Sequence, residues 1–124
     1  MKGIEFKIPN EYGMFLNDIL QGIEDDSSKW IVSNEEVLQT GAQPLFTKEE
    51  YSEKDFKNLI SVPDYYLVFL HLSRILPDGT KDLDLIIIDN IFVEVYSNKP
   101  YLLEKIKTNC EKTGFEDLHE VDND

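Results

Sequence analysis

Cysteine is nearly absent from this chain. A single one, Cys110, excludes an internal disulfide framework and a multi-cysteine zinc cage. Glycine is sparse: the six residues are scattered, and none forms a GxGxxG turn or a P-loop. That weighs against nucleotide enzymes of the common folds. No uncharged apolar run approaches the length of a membrane span, and Met1-Lys2-Gly3 opens directly into a strand pattern. Neither a signal peptide nor a transmembrane helix is expected, and the expected location is cytoplasmic. Histidine is limited to His71 and His119, which gives no convincing Ser/His/Asp set. Positive charge is scarce relative to negative. Twelve Lys and Arg stand against 25 Asp and Glu, for a net charge of −13. A field of that sign repels phosphate backbones and anionic lipid surfaces, so neither nucleic acid nor membrane is expected as a partner. It speeds encounter with a basic protein.

What remains is rich in apolar and aromatic residues. They make up 41% of 124 residues, with seven Phe, six Tyr and one Trp, enough for one domain with its own core and too short for two. Ile4, Phe6 and Ile8 alternate with Glu5 and Lys7, the period of a half-buried strand. After Pro9, Asn10 is placed to cap a helix starting near Glu11, with Tyr12, Phe15, Leu16, Ile19, Leu20 and Ile23 on one face. Trp30–Val32 and Val37–Leu38 read as two short strands about a polar turn. Thr47 with Glu50, or Ser52 with Asp55, would cap a second helix carrying Tyr51, Phe56, Leu59 and Ile60.

Tyr65 to Leu72 is apolar on both faces and belongs in the middle of a sheet. Leu83–Ile88 and Ile91–Tyr96 form a hairpin about Asp89-Asn90. Pro100 and Gly114 bracket a third helix with Leu102, Leu103, Ile106 and Cys110 inside. A last strand over Phe115–Val121 precedes an acidic tail, expected to fray from about residue 119 to 124. The order β-α-β-β-α-β-β-β-α-β lacks regular alternation. It predicts a single α+β domain with a mixed, mostly antiparallel sheet packed with about three helices.

The acids are clustered. Glu24, Asp25 and Asp26 form one group, Glu35 and Glu36 a second, Glu49 and Glu50 a third. Trp30 and Tyr51 follow two of them, and an aromatic beside carboxylates is what an anchor for a basic partner looks like. Such clusters also serve solubility alone. Asp82-Leu83-Asp84 is the one arrangement that suggests a metal. In an extended chain both carboxylates point to the same side, with Asp89 at the far end of the strand, and oxygen ligands of that kind suit Mg²⁺ or Mn²⁺. A bare D-x-D lacks the context a motif requires, so no cofactor and no catalytic residue is assigned.

The opening Gly3-Ile4-Glu5-Phe6-Lys7-Ile8-Pro9-Asn10-Glu11-Tyr12-Gly13, Trp30, and Thr113-Gly114-Phe115-Glu116-Asp117 resemble a small bacterial domain-of-unknown-function family, number 2691. The resemblance spans most of the chain, which is shorter than the family pattern between Leu72 and Leu85. It implies a bacterial cytoplasmic protein and supplies no activity. The functional expectation therefore rests on charge: a non-enzymatic acidic domain that binds a basic protein, in its most concrete form an immunity protein or antitoxin neutralising a nuclease-type toxin. Two alternatives stand beside it. One is a metal-dependent phosphoryl-transfer or hydrolytic enzyme using Asp82, Asp84 and Asp89; the other is a structural or oligomeric protein whose charge serves solubility.

Overall fold

Strands built on alternating residues must bury one face, and here seven of them share a single sheet. The computed structural model describes residues 2–122. Its elements are β1 (Lys2–Lys7), α1 (Phe15–Ile19), β2 (Lys29–Gln39), β3 (Glu50–Ser52), α2 (Glu53–Ile60), β4 (Tyr65–Ile75), β5 (Lys81–Ile88), β6 (Phe92–Tyr96), α3 (Pro100–Thr113) and β7 (Glu116–Asp122). The strand order is β3-β2-β4-β5-β6-β1-β7, and every pairing between strands is antiparallel. The chain is an α+β domain.

Directly opposed residues share a face, so the register divides the sheet into two surfaces. Ile4, Val95, Leu85, Leu72 and Val32 make one cross-strand row. All five are buried, in one core with Leu16 and Ile19 of α1, Phe56 and Ile60 of α2, and Leu102, Ile106 and Cys110 of α3. The three helices thus cover one face. The alternate row, Glu5, Glu94, Ile86 and His71, is only half-buried, and among the described residues no helix packs against it. We call this the open face.

The interior position of β4 follows from its double-sided apolar run. α3 ends as expected at Gly114, which takes φ 85 and lets its N–H reach Cys110 O, a conformation an L side chain resists. Ser52 caps α2 by accepting from Asp55 N at 3.2 Å. Asp89 and Asn90 both take positive φ, 56 and 53, the conformation of a tight hairpin turn. Asn90 does more than turn: its buried side chain accepts from Leu67 N at 2.8 Å and donates to Glu11 O at 3.0 Å.

Four expectations are corrected. The first helix is only Phe15–Ile19, because Gly13 exchanges backbone hydrogen bonds with Tyr65 at 3.0 and 3.1 Å and is held extended. Trp30–Val32 and Val37–Leu38 are parts of one strand. It runs through Ser33–Glu36 by bulging twice, between Val32 and Asn34 and between Glu36 and Val37. Tyr51 lies in β3 rather than on the helix, and its hydroxyl accepts from Thr47 N and Lys48 N, each at 2.9 Å. The acidic tail does not fray at 119: β7 pairs with β1 as far as Asp122. The remainder of that expectation, residues 123 and 124, lies outside the described residues.

Candidate functional site

Glu24, Asp25, Asp26, Trp30, Glu35, Glu36, Glu49 and Glu50 are the residues expected to contact a partner, and of these eight Trp30 is the one the structure removes. It is fully buried. Its ring stacks on Phe56 at 4.5 Å, and its Nε1 donates to Glu53 Oε2 at 2.9 Å. Glu53, itself 4% exposed, also pairs with Lys57 at 3.5 Å. Burial pulls the Lys57 ammonium below its ordinary pKa, against the opposing pull of Glu53. Tyr51 is likewise buried. Both aromatics are core residues rather than anchors.

The other seven are carboxylates near the β3 side of the sheet. Glu50 is opposed to Ile31, and Glu49 O accepts from Val32 N at 2.7 Å, so these two run beside the start of β2. Glu35 and Glu36 follow a few residues further along that strand, and all four are exposed. Lys29 pairs with Glu50 at 3.3 Å. Glu24 and Asp26 are exposed where the loop before β2 meets α2, while Asp25 is half-buried. The Ser27 hydroxyl and N–H, at 2.7 and 3.1 Å, hold the Asp25 carboxyl below its usual pKa. Charge and two bulges on this margin also disfavour edge-to-edge strand addition.

The metal arrangement is overturned by a bulge. The register of β4 against β5 shifts between Arg74 and Ile75, and this returns the Asp82 side chain to the helix-covered face. There it accepts from Arg74 Nε at 3.0 Å, Arg74 Nη2 at 2.8 Å and Lys99 Nζ at 3.1 Å. Burial works to raise the Asp82 pKa, but the hydrogen bonds and charges of Arg74 and Lys99 outweigh it and hold the carboxyl below its usual value. Asp84 stays on the open face, bonded to Ser73 Oγ at 2.7 Å and His71 Nε2 at 2.9 Å. Asp89 lies in the hairpin turn, about 20 Å along the chain from Asp82 at strand rise. Asp82, Asp84 and Asp89 therefore do not converge. Among the described residues no group of three His, Cys, Asp or Glu is poised for a metal ion.

His71 and Ser73 both contact Asp84, not each other as a base and a nucleophile would. Cys110 is buried in the core, and burial pushes its thiol pKa up to about 12, the opposite of an activated nucleophile. Among the described residues no helix is long and apolar enough to cross a membrane.

Sequence reasoning missed the open face. A depression of about 710 Å³ lies where β1, β6 and β7 meet and is lined by Glu5, Lys7, Phe92, Glu94, Asp117 and His119 among others. Lys7 pairs with Asp117 at 2.9 Å and sits over the Phe92 ring at 5.7 Å. Glu94 accepts from the Tyr96 hydroxyl at 2.6 Å. Gly3 is required on this side, since a Cβ there would lie 2.4 Å from the Tyr96 ring. The alternation of β1 and β6 was the available signal, but without knowing where the helices pack it does not say which face stays uncovered.

The family model described as "Protein of unknown function (DUF2691)" matches residues 1–124, and the chain belongs to that family. It is 29% identical over 136 residues to "Uncharacterized protein YncE" of Bacillus subtilis (strain 168), covering 94% of this chain and 89% of the relative. No solved structure matches.

Proposed function

We propose that this member of the DUF2691 family is a non-enzymatic, cytoplasmic protein-binding domain that receives a basic protein on its acidic surface. The carrying observation is the run of exposed carboxylates on the β3 margin. Glu50 and Glu49 lie beside the start of β2 and Glu35 and Glu36 further along it, within a chain of net charge −13. Exposed carboxylates replace phosphates as acceptors for Lys and Arg, and of these four Glu36, opposite Phe69, lies on the open face. The most concrete form is an immunity protein or antitoxin that covers the positive substrate groove of a nuclease-type toxin.

The test is capture from native lysate at low salt with the tagged protein, followed by a salt gradient. The expected result is one basic protein, retained in stoichiometric amount, released only as salt rises, and retained less by an Asp25→Lys/Asp26→Lys/Glu49→Lys/Glu50→Lys variant. Equal retention by wild type and variant would remove these acids from the contact. Nothing retained at low salt would return the charge to a solubilising role.

A further inference from the structure

A basic partner held by carboxylates alone would lack an apolar centre, and Trp30 and Tyr51 are too deep to provide one. Among the described residues five large apolar side chains are exposed: Tyr12, Phe69, Ile88, Phe92 and Tyr101. Three of them form a single cross-strand row. Phe69 is opposed to Ile88 and Ile88 to Phe92, at 37%, 38% and 48% exposure. Strands lie about 4.8 Å apart, so the row spans about 10 Å across the open face. It ends at charge on both sides: Glu36 opposes Phe69, and Lys7 opposes Phe92. The next row carries Glu94 and Glu5.

We infer that Phe69, Ile88 and Phe92 are the apolar anchor of a docking surface on the open sheet face, and that its occupant is a basic protein surface presenting apolar side chains among Lys or Arg. This rests on the proposed acidic binding function and locates it. An apolar centre with a charged rim is the anatomy of a protein interface. A few large side chains at such a centre carry most of the affinity. Charge complementarity selects the occupant. Two copies of this chain, each at −13, repel one another, whereas a cationic face gains at Glu5, Glu36 and Glu94. Lys7 over Phe92 already displays the contact a partner cation would make with these rings.

The test uses two defined probes, an amphipathic Leu/Lys peptide and a Ser/Lys peptide of equal charge, titrated at low salt while backbone amide resonances are followed. The Leu/Lys peptide should bind about tenfold or more tightly than the Ser/Lys peptide, with the largest shifts on β4, β5 and β6 around Phe69, Ile88 and Phe92. The Ile88→Ser/Phe92→Ser variant should lose that advantage, whereas Tyr101→Ser, an exposed aromatic on α3, should keep it. Because the substituted side chains are exposed, near-ultraviolet circular dichroism should show the fold retained. Equal binding of both peptides, undisturbed by Ile88→Ser/Phe92→Ser, would overturn the anchor and leave the acidic binding function standing. No binding of either peptide would overturn both. A wild-type dimer made monomeric by Ile88→Ser/Phe92→Ser would overturn it in favour of a second copy as the occupant.

Discussion

Replacing Asp82 with alanine should be the most damaging single change outside the apolar core. The Asp82 side chain has no exposed surface, and that of Arg74 is 3% exposed. Arg74 Nη1 is already buried without a partner among the described residues, so the guanidinium depends on the two bonds Asp82 supplies through Nε and Nη2. Asp82→Ala strips a buried cation of its hydrogen-bonded counter-charge, which costs about 3–5 kcal/mol. At about 2.1 cal/mol/K per residue, a chain of this length unfolds with about 0.26 kcal/mol/K of entropy, so the melting temperature should fall by about 12–19 °C. Thermal and urea melts followed by circular dichroism read this directly. Asp84→Ala, on the open face where its side chain is 17% exposed, should cost far less. The combined Arg74→Met/Asp82→Leu variant should regain most of the loss, because an apolar pair carries no desolvation penalty. An Asp82→Ala protein melting within about 3 °C of wild type would refute the reasoning.

The same carboxylate sets an acid limit. Its folded pKa is depressed, so its contribution is fully present above the unfolded value of about 3.9 and is lost as pH falls through the folded value. The stability gap between wild type and Asp82→Ala should therefore hold from neutral pH to about 4 and close below it; urea melts showing a constant gap to pH 2 would contradict this. Trp30→Phe keeps a ring against Phe56 and loses the hydrogen bond to Glu53, a charged acceptor, at a cost of about 1.5–3 kcal/mol in urea melts. It should leave peptide binding unchanged, and a binding loss larger than its stability loss would restore Trp30 as a contact. Calorimetry with Mg²⁺ and Mn²⁺ should give no saturable heat, since Asp82 and Asp84 face opposite sides of the sheet; a saturable heat abolished by Asp84→Ala would reopen the metal reading.

Where structure is fixed by neighbours in sequence, it was legible. Pro100 and Gly114 bound α3, Ser52 and Asp55 start α2, and Asp89-Asn90 turn the hairpin, each within a few residues of what they determine. The two-sided apolar run of β4 announced its interior place. Misread features depend on partners far along the chain. Trp30 is buried by Phe56 and Glu53 of α2, and the extended state of Gly13 is imposed by Tyr65. Asp82 and Asp84 part company at a bulge that buries one carboxylate against Arg74 and Lys99. Phe69, Ile88 and Phe92 look like core residues in any local window. Only the placement of all three helices on the other face leaves them in water. The acids of the β3 margin were visible as clusters, and placing Glu50 beside Ile31 required the pairing of β2 with β3.

The acidic surface as a receptor for basic protein is tested most directly by the salt dependence of binding. Labelled Leu/Lys peptide would be titrated from about 20 to 200 mM salt, across which the screening length shortens from about 20 Å to below 10 Å. The account expects affinity to fall steadily with added salt, and Glu35→Lys/Glu36→Lys/Glu49→Lys/Glu50→Lys both to weaken binding and to flatten that dependence. Tight binding indifferent to salt and to those four reversals would contradict it.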